Sequence, residues 1–217
     1  MEMEASEAEV EEFFRNNVAP RTSREDPIRR SDRIIMNKTA LPPFQPQYKI
    51  SNPVPDMLYG YNRSSAFGVD QRKQIADGGN VAVANSEGLL CPFFAIEFKG
   101  DGPSSNASTA CINISEQLIK QLSQCNREEV KRLDSTSFSI AMNGTEARLT
   151  FILQRPNEFL EFRKYVRNII DWGRDERLRT IKAALDALIE ERLKVASKTR
   201  PPPIDKSGEG SKRQRPN

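Results

Sequence analysis

The chain has 217 residues, 29% of them charged and 37% apolar, and its formal net charge is +3. This length suffices for one domain with a hydrophobic core, and the weakly basic balance lacks the strong positive charge of a dedicated nucleic-acid-binding domain. The sequence contains no histidine, which excludes Ser–His–Asp and Cys–His catalysis and histidine-ligated zinc. Any hydrolytic chemistry must therefore use carboxylates, lysines and hard metal ions.

The cysteines and the N-terminus bear on the cellular compartment. Cys91, Cys111 and Cys125 lie in apolar surroundings and form no Cys-x-x-Cys pair, which predicts reduced, buried thiols. The acidic start MEMEASEAEV is not typical of a signal peptide, and no run approaches the roughly 20 apolar residues of a membrane span. We therefore expect an intracellular protein, nuclear or cytoplasmic, that does not enter a membrane.

Residues 1–40 are predicted to form an acidic helix and a flexible linker. The helix is expected over residues 2–17, with Phe13 and Phe14 as its apolar contribution. The segment from Ala19 to Arg33 is rich in Pro, Arg, Ser and Asp, which is typical of an exposed linker. Its arginines are interpreted as solvated charges, with phosphate binding as the alternative; they are Arg29, Arg30 and Arg33.

Residues 41–196 are predicted to form the folded domain, which begins with two strands. Asp56 to Tyr61 has the aromatic and apolar character of a strand. A short helix is expected near Val69 to Ala76. Gly88 to Lys99 is a nearly continuous apolar run, and such a run suits a central strand that is covered on both faces.

A helix and a hairpin are predicted next. Apolar residues at helical spacing indicate a helix that ends near Gln124; they are Ala107, Cys111, Ile114, Leu118 and Leu122. Two alternating runs, Ser137 to Met142 and Ala147 to Gln154, flank Asn143-Gly144. An Asn-Gly pair between alternating runs indicates a β-hairpin.

The C-terminal part is predicted to be helical and then disordered. One helix is expected near Asn157 to Trp172, after Pro156, and a second from about Asp175 to Ala196. Residues 197–217 contain three consecutive prolines and a basic, polar end, which predicts a disordered tail.

Three charged residues at the strand ends could carry chemistry. Residues i and i+2 of a strand share a face, so Glu97 and Lys99 stand side by side, and a buried charge needs a partner or a metal ion. Asp56 and Glu97 would hold Mg²⁺ or Mn²⁺ together with the backbone carbonyl of Phe98. Lys99 would orient a metal-bound water or stabilise phosphoryl charge. This arrangement is typical of a metal-dependent phosphodiesterase.

A purely structural interpretation of the same residues remains open. Glu97 and Lys99 would then form an ion pair at the strand end, and Asp56 would cap a turn. A second acid-x-lysine match at Glu129-Val130-Lys131 lies in a polar run without strand character. We interpret that second match as coincidental.

The motifs resemble the PD-(D/E)XK nuclease-like superfamily and, more closely, a fungal branch described as domain of unknown function 7924. The resemblance covers roughly Leu41 to Arg192 and rests on the segments PDMLYGY, FFAIEFKG, TACINIS and NIIDW. It implies an α+β fold: a restriction-endonuclease-like αβββαβ core around a mixed central sheet, with added C-terminal helices. Either residues 2–17 supply the first helix, or the domain is trimmed.

The resemblance also implies a partner and two outer site residues. The partner is nucleic acid, with DNA preferred to RNA. Asn113 and Gln117, one helical turn apart, are the outer candidates, and the usual Gln before the helix Asn is replaced here by Ile112. Three hypotheses follow: a Mg²⁺-dependent nuclease-like enzyme, a catalytically inactive nuclease fold kept for binding, and an interaction protein that uses its C-terminal helices.

Overall fold

The computed structural model describes residues 6–42, 51–98, 107–125, 127–142, 146–147, 151–152 and 156–199. Within these ranges six strands form one sheet in the order β1-β2-β3-β4-β5-β6. The strands are β1 (Ile28–Ser31), β2 (Met57–Tyr61), β3 (Leu90–Phe98), β4 (Phe138–Met142), β5 (Glu146–Ala147) and β6 (Phe151–Ile152). The helices are α1 (Glu7–Asn17), α2 (Arg63–Ala66), α3 (Val69–Asp77), α4 (Ala107–Leu122), α5 (Glu128–Lys131), α6 (Pro156–Trp172) and α7 (Leu178–Thr199).

The sheet is mixed, which confirms the predicted α+β class. Strands β1, β2 and β3 pair antiparallel in succession, and β3 pairs parallel with β4. A parallel pair needs a long crossover connection, and α4 and α5 lie in that connection. The order α1-β1-β2-β3-α4-β4 is the expected αβββαβ order, with α2 and α3 inserted between β2 and β3 and with α6 and α7 added at the end.

Strand β3 lies in the middle of this arrangement, as its apolar run predicts. All nine of its residues are buried, and it pairs with β2 on one side and β4 on the other. Phe94, Ile96 and Phe98 belong to one hydrophobic cluster, whereas Ala95 belongs to a second. This alternation fits a strand whose two faces are both covered.

Helix α1 packs on the sheet through Phe14. The Phe14 ring is 1% exposed and meets the rings of Phe98 and Phe162 at centroid distances of 5.5 and 6.2 Å. Ser6 caps the helix and forms a capping box with Glu9, which fixes where the helix begins. Residues within the predicted 2–17 segment therefore do supply a first helix.

The prediction of an exposed linker from Ala19 to Arg33 is wrong for its second half. Ile28–Ser31 forms edge strand β1, whose register against β2 runs from Ile28↔Tyr61 to Ser31↔Leu58. Ile28 and Ser31 are buried. Four residues that include two arginines carry little strand signal of their own, so pairing along the β2 edge determines the strand.

The predicted hairpin is confirmed only at the residue pair next to its turn. Met142 of β4 pairs antiparallel with Ala147 of β5, on the two sides of residues 143–145, which lie outside the described ranges. The predicted second arm from Ala147 to Gln154 is wrong as one strand, because β5 and β6 are two-residue strands that pair with each other.

Helices α6 and α7 are joined by a π-helical turn, Gly173–Arg177. The Tyr61 hydroxyl donates a hydrogen bond to the Gly173 carbonyl at 2.8 Å, and a Cβ on Gly173 would come within 2.3 Å of the Phe93 ring. The glycine thus allows the turn to pack directly on the sheet. The predicted tail beyond residue 199 lies outside the described residues, and α7 extends to Thr199.

The three cysteines, all of which lie in the described ranges, are buried and unbridged, as predicted. Burial raises the pKa of the Cys91 and Cys111 thiols to about 12. Among the described helices, none has the length and apolar character that crossing a bilayer requires.

Candidate functional site

The antiparallel pairing of β2 and β3 brings the two candidate acidic residues to the same end of the strand pair. Met57 pairs with Ile96 and Leu58 with Ala95. Asp56 is the bend residue immediately before β2, and Glu97 is the next-to-last residue of β3.

Asp56 is fixed to the end of β3 by its side chain. Its Oδ2 accepts a hydrogen bond from the Phe98 backbone N–H at 2.8 Å, and its Oδ1 accepts a longer one from Arg33 Nε at 3.4 Å. The side chain is only 14% exposed. Asp56 is therefore a cap on the neighbouring strand as well as a candidate ligand.

Glu97 is the buried member of the pair. The residue is 5% exposed. It alternates with Ile96 and Phe98, so it shares a face with Ala95. Ala95 packs in the cluster that includes Ala107, Ala110 and Cys111 of α4. The first turns of α4 therefore cover the face of the sheet on which Glu97 lies.

The third predicted member, Lys99, lies outside the described residues, which stop at Phe98 and resume at Ala107. In the part of the chain that is described, no group of three or more acidic, cysteine or histidine side chains is arranged to hold a metal ion. The described part of the candidate site is thus the acidic pair, Asp56 and Glu97, beside the Phe98 backbone.

The two outer candidates bind a backbone turn. Asn113 Nδ2 donates to the Ala40 carbonyl at 3.0 Å, and Gln117 Nε2 donates to the Thr39 carbonyl at 3.0 Å. Both carbonyls belong to the 3-10 turn Lys38–Ala40. In this structure the amides of Asn113 and Gln117 therefore fasten that turn to α4.

Sequence reasoning missed a line of ion pairs that ends at Asp56. Six charges of alternating sign connect β1, α1 and the start of β2. We call this series the charge chain; its members are Arg30, Asp32, Arg15, Glu11, Arg33 and Asp56.

Arg15 is the centre of the charge chain. Its guanidinium lies 2.6 Å from Glu11 Oε1 and 2.6 Å from Asp32 Oδ2. Burial lowers the pKa of Arg15, but hydrogen bonds to Glu11 and Asp32 outweigh burial and leave that pKa raised. Arg30 pairs with the other Asp32 oxygen at 2.9 Å.

Arg33 links helix α1 to the acidic pair, because its guanidinium contacts both Glu11 and Asp56. Arg29 instead pairs with Glu87 at 3.2 Å. Each of the three arginines thus has a carboxylate partner, which the interpretation as solvated charges does not include, although the side chains of Arg29 and Arg33 are 40% and 57% exposed. The one indication of the charge chain in the sequence is the i, i+4 spacing of Glu11 and Arg15, which predicts only the ion pair within α1.

The fold is a mixed α+β domain with two acidic residues where β2 begins and β3 ends. The chain belongs to the family described as a domain of unknown function (DUF7924), which matches residues 3–152. Comparisons with curated proteins and with solved structures returned no match. The matched range begins earlier than the resemblance predicts and contains α1, β1 and the acidic pair, whereas α6 and α7 lie beyond it.

Proposed function

We propose that this domain is a PD-(D/E)XK-like, Mg²⁺-dependent phosphodiesterase that acts on nucleic acid. The observation that carries the proposal is the hydrogen bond from the Phe98 N–H to Asp56, which holds the Asp56 carboxylate beside the strand end that contains Glu97. The order of elements, a helix, three strands, a helix and a parallel strand, supports it.

The residues at this place fit a hard divalent cation. Carboxylate and carbonyl oxygens are the ligands that Mg²⁺ prefers, and the ion usually keeps several waters. Asp56 and Glu97 would hold it. The Phe98 carbonyl is the third candidate, since the N–H and C=O of one strand residue face the same edge and the Phe98 N–H faces Asp56. Mn²⁺ has the same ligand preference.

A bound ion would supply a water of lowered pKa as nucleophile. The chain's own contribution is to position the ligands: the Phe98 N–H orients the Asp56 carboxylate, and α4 packs on Ala95, which shares a face of β3 with Glu97. Lys99, two residues after Glu97, would place its amine beside the reacting phosphate and stabilise the charge that develops there.

The substrate we propose is DNA in preference to RNA, within the nucleus or the cytoplasm. The support is chemical: a chain without histidine can cleave a phosphodiester with carboxylates, a lysine and a metal ion. The net charge of +3 is compatible with a polyanionic partner but does not select one.

A cleavage assay tests this function directly. The purified chain is incubated with single- and double-stranded DNA and RNA in Mg²⁺ or Mn²⁺, beside the Glu97→Gln and Glu129→Gln variants. Glu129 is a matched control because it begins the other acid-x-lysine sequence, on the short helix α5, where its side chain is 40% exposed. We expect cleavage by wild type and Glu129→Gln and a loss of at least ~100-fold in Glu97→Gln. Equal rates in all three, or none, would refute the proposal.

A second candidate function is a catalytically inactive nuclease fold that binds nucleic acid or protein. The observation in its favour is that both oxygens of Asp56 already accept hydrogen bonds, one of them from the cationic side chain of Arg33. Calorimetric titration with Mn²⁺ distinguishes the two. Binding that is lost in Asp56→Asn, which keeps an oxygen for the Phe98 N–H, favours the enzyme, and no binding favours the inactive fold.

A further inference from the structure

Arg33 has an unusual backbone conformation for its residue type. Its φ is +54°, in the left-handed region that residues with a Cβ seldom occupy. Its backbone N–H donates to the Pro55 carbonyl at 3.1 Å, immediately before Asp56. A strained residue that is held in place next to a candidate site is a reason to look for a role in that site.

The side chain of Arg33 bridges two carboxylates. Its Nε lies 3.4 Å from Asp56 Oδ1, and its terminal nitrogen donates to Glu11 Oε2. Glu11 has a side chain only 9% exposed, and its other oxygen is bound by Arg15. Arg33 thus has one close partner on α1 and one longer contact at the acidic pair.

A divalent ion bound at the acidic pair would lie close to the Arg33 guanidinium. Each Asp56 oxygen accepts one hydrogen bond and keeps a further lone pair, and Oδ1 faces the cationic Arg33, so an ion bound to this carboxylate would lie close to the guanidinium. A guanidinium and a divalent cation on the same oxygen repel each other. The Arg33 side chain is 57% exposed, so water screens part of that repulsion.

We infer that Arg33 is a positioning residue that competes with a divalent cation for Asp56, and that Glu11 is the partner that retains Arg33 when the ion binds. This inference rests on the proposed function, because it needs the acidic pair to bind metal. Helix α1 then sets the metal affinity of a site to which it contributes no ligand.

The inference predicts opposite effects on metal affinity when the charge of Arg33 is removed and when the charge of Glu11 is removed. Without the charge of Arg33, Asp56 has no competing cation and the ion binds more tightly. Without the charge of Glu11, Arg33 loses its close partner and shifts towards Asp56, so the ion binds more weakly. A purely structural role of the charge chain would not change metal affinity in opposite directions.

Calorimetric titration with Mn²⁺ at low salt tests the inference on wild type, Arg33→Gln, Arg33→Lys and Glu11→Gln. Arg29→Gln is the matched control, since it removes the same charge from the same segment at a residue that pairs with Glu87. We expect the dissociation constant to fall roughly fivefold to tenfold in Arg33→Gln and to rise several-fold in Glu11→Gln. Arg33→Lys should restore a value near wild type, and Arg29→Gln should leave it unchanged.

The outcomes separate this inference from the proposed function. If wild type binds Mn²⁺ through Asp56 but Arg33→Gln binds equally or more weakly, the inference is overturned and the proposed function stands. If no variant binds Mn²⁺ in an Asp56-dependent way, both fail. Thermal melting without metal identifies a variant that does not fold. In that case Arg33→Asn replaces Arg33→Gln, because Asn tolerates the left-handed conformation better.

Discussion

Asp56, the residue before β2, accepts a hydrogen bond from the backbone N–H of Phe98, the last residue of β3, at 2.8 Å. The Asp56 carboxylate thus caps the end of a neighbouring strand and lies beside the backbone that follows Glu97. Stability and the proposed chemistry therefore depend on the same side chain, and substitutions must distinguish the two roles.

Asp56→Ala should destabilise the fold more than Asp56→Asn. The alanine leaves the Phe98 N–H without its acceptor, and a hydrogen bond to a charged group contributes about 2 kcal/mol. The asparagine keeps an oxygen for that N–H, so it should lose about 1 kcal/mol or less. Urea unfolding measures both free energies. Equal losses would mean that the cap contributes little to stability.

Phe14→Ala should lower the free energy of unfolding by about 3–4 kcal/mol, because it leaves a cavity beside the rings of Phe98 and Phe162. Phe13→Ala is the matched control on the same helix. Phe13 is 54% exposed, so its loss should be below about 1 kcal/mol. Similar small losses in both variants would show that α1 is not part of the cooperative core.

Most of the central elements could be predicted from local patterns. The nearly continuous apolar run of β3 and the helical spacing on α4 each contain enough signal to define an element. Strand β1 could not be predicted, because Ile28, Arg29, Arg30 and Ser31 become a strand only through their pairing with β2. The same dependence on tertiary context divides the predicted second hairpin arm into β5 and β6.

The candidate site could be predicted where it depends on one pair of strands. That Asp56 and Glu97 lie at the same end of the strand pair follows once β2 and β3 are antiparallel neighbours. The charge chain could not be predicted, since Glu11, Arg33 and Asp56 are far apart in the sequence and each alone resembles an ordinary surface charge. The placement of Lys99 stays a prediction.

Gly173→Ala should destabilise the fold by about 3 kcal/mol, because its Cβ would lie 2.3 Å from the buried Phe93 ring. Gly68→Ala is the matched control. Its Cβ would have its nearest neighbour at 3.8 Å, and the expected cost is at most about 1 kcal/mol from weaker helix capping. Both values come from urea unfolding, and equal costs would contradict the close packing of the π-helical turn on β3.

Stability should fall as the pH rises from 9 towards 12. Burial raises the pKa of Cys91 and Cys111 from 9.0 to about 12, so the folded state keeps thiol protons that the unfolded state loses. This stabilisation is complete below pH 9 and is lost as the pH approaches the folded pKa. Each thiol contributes about 1.4 kcal/mol of loss per pH unit in that window.

Urea unfolding at pH 8 and pH 10 measures this loss in wild type and in Cys111→Ala. The variant should lose about 1 kcal/mol less than wild type between the two pH values, because one of the two raised thiols is gone. An identical pH dependence would show that Cys111 does not contribute to it.

The most direct measurement of the central claim is the paramagnetic broadening of backbone amide signals by Mn²⁺. If Asp56 and Glu97 hold a divalent ion, the amides of Met57 and Phe98 should broaden first, at substoichiometric Mn²⁺, and excess Mg²⁺ should reverse the effect. The amide of Leu178, at the start of α7, should keep its intensity under the same conditions. Broadening that spares Met57 and Phe98, or that persists unchanged in Asp56→Asn, would contradict a metal site at the ends of β2 and β3.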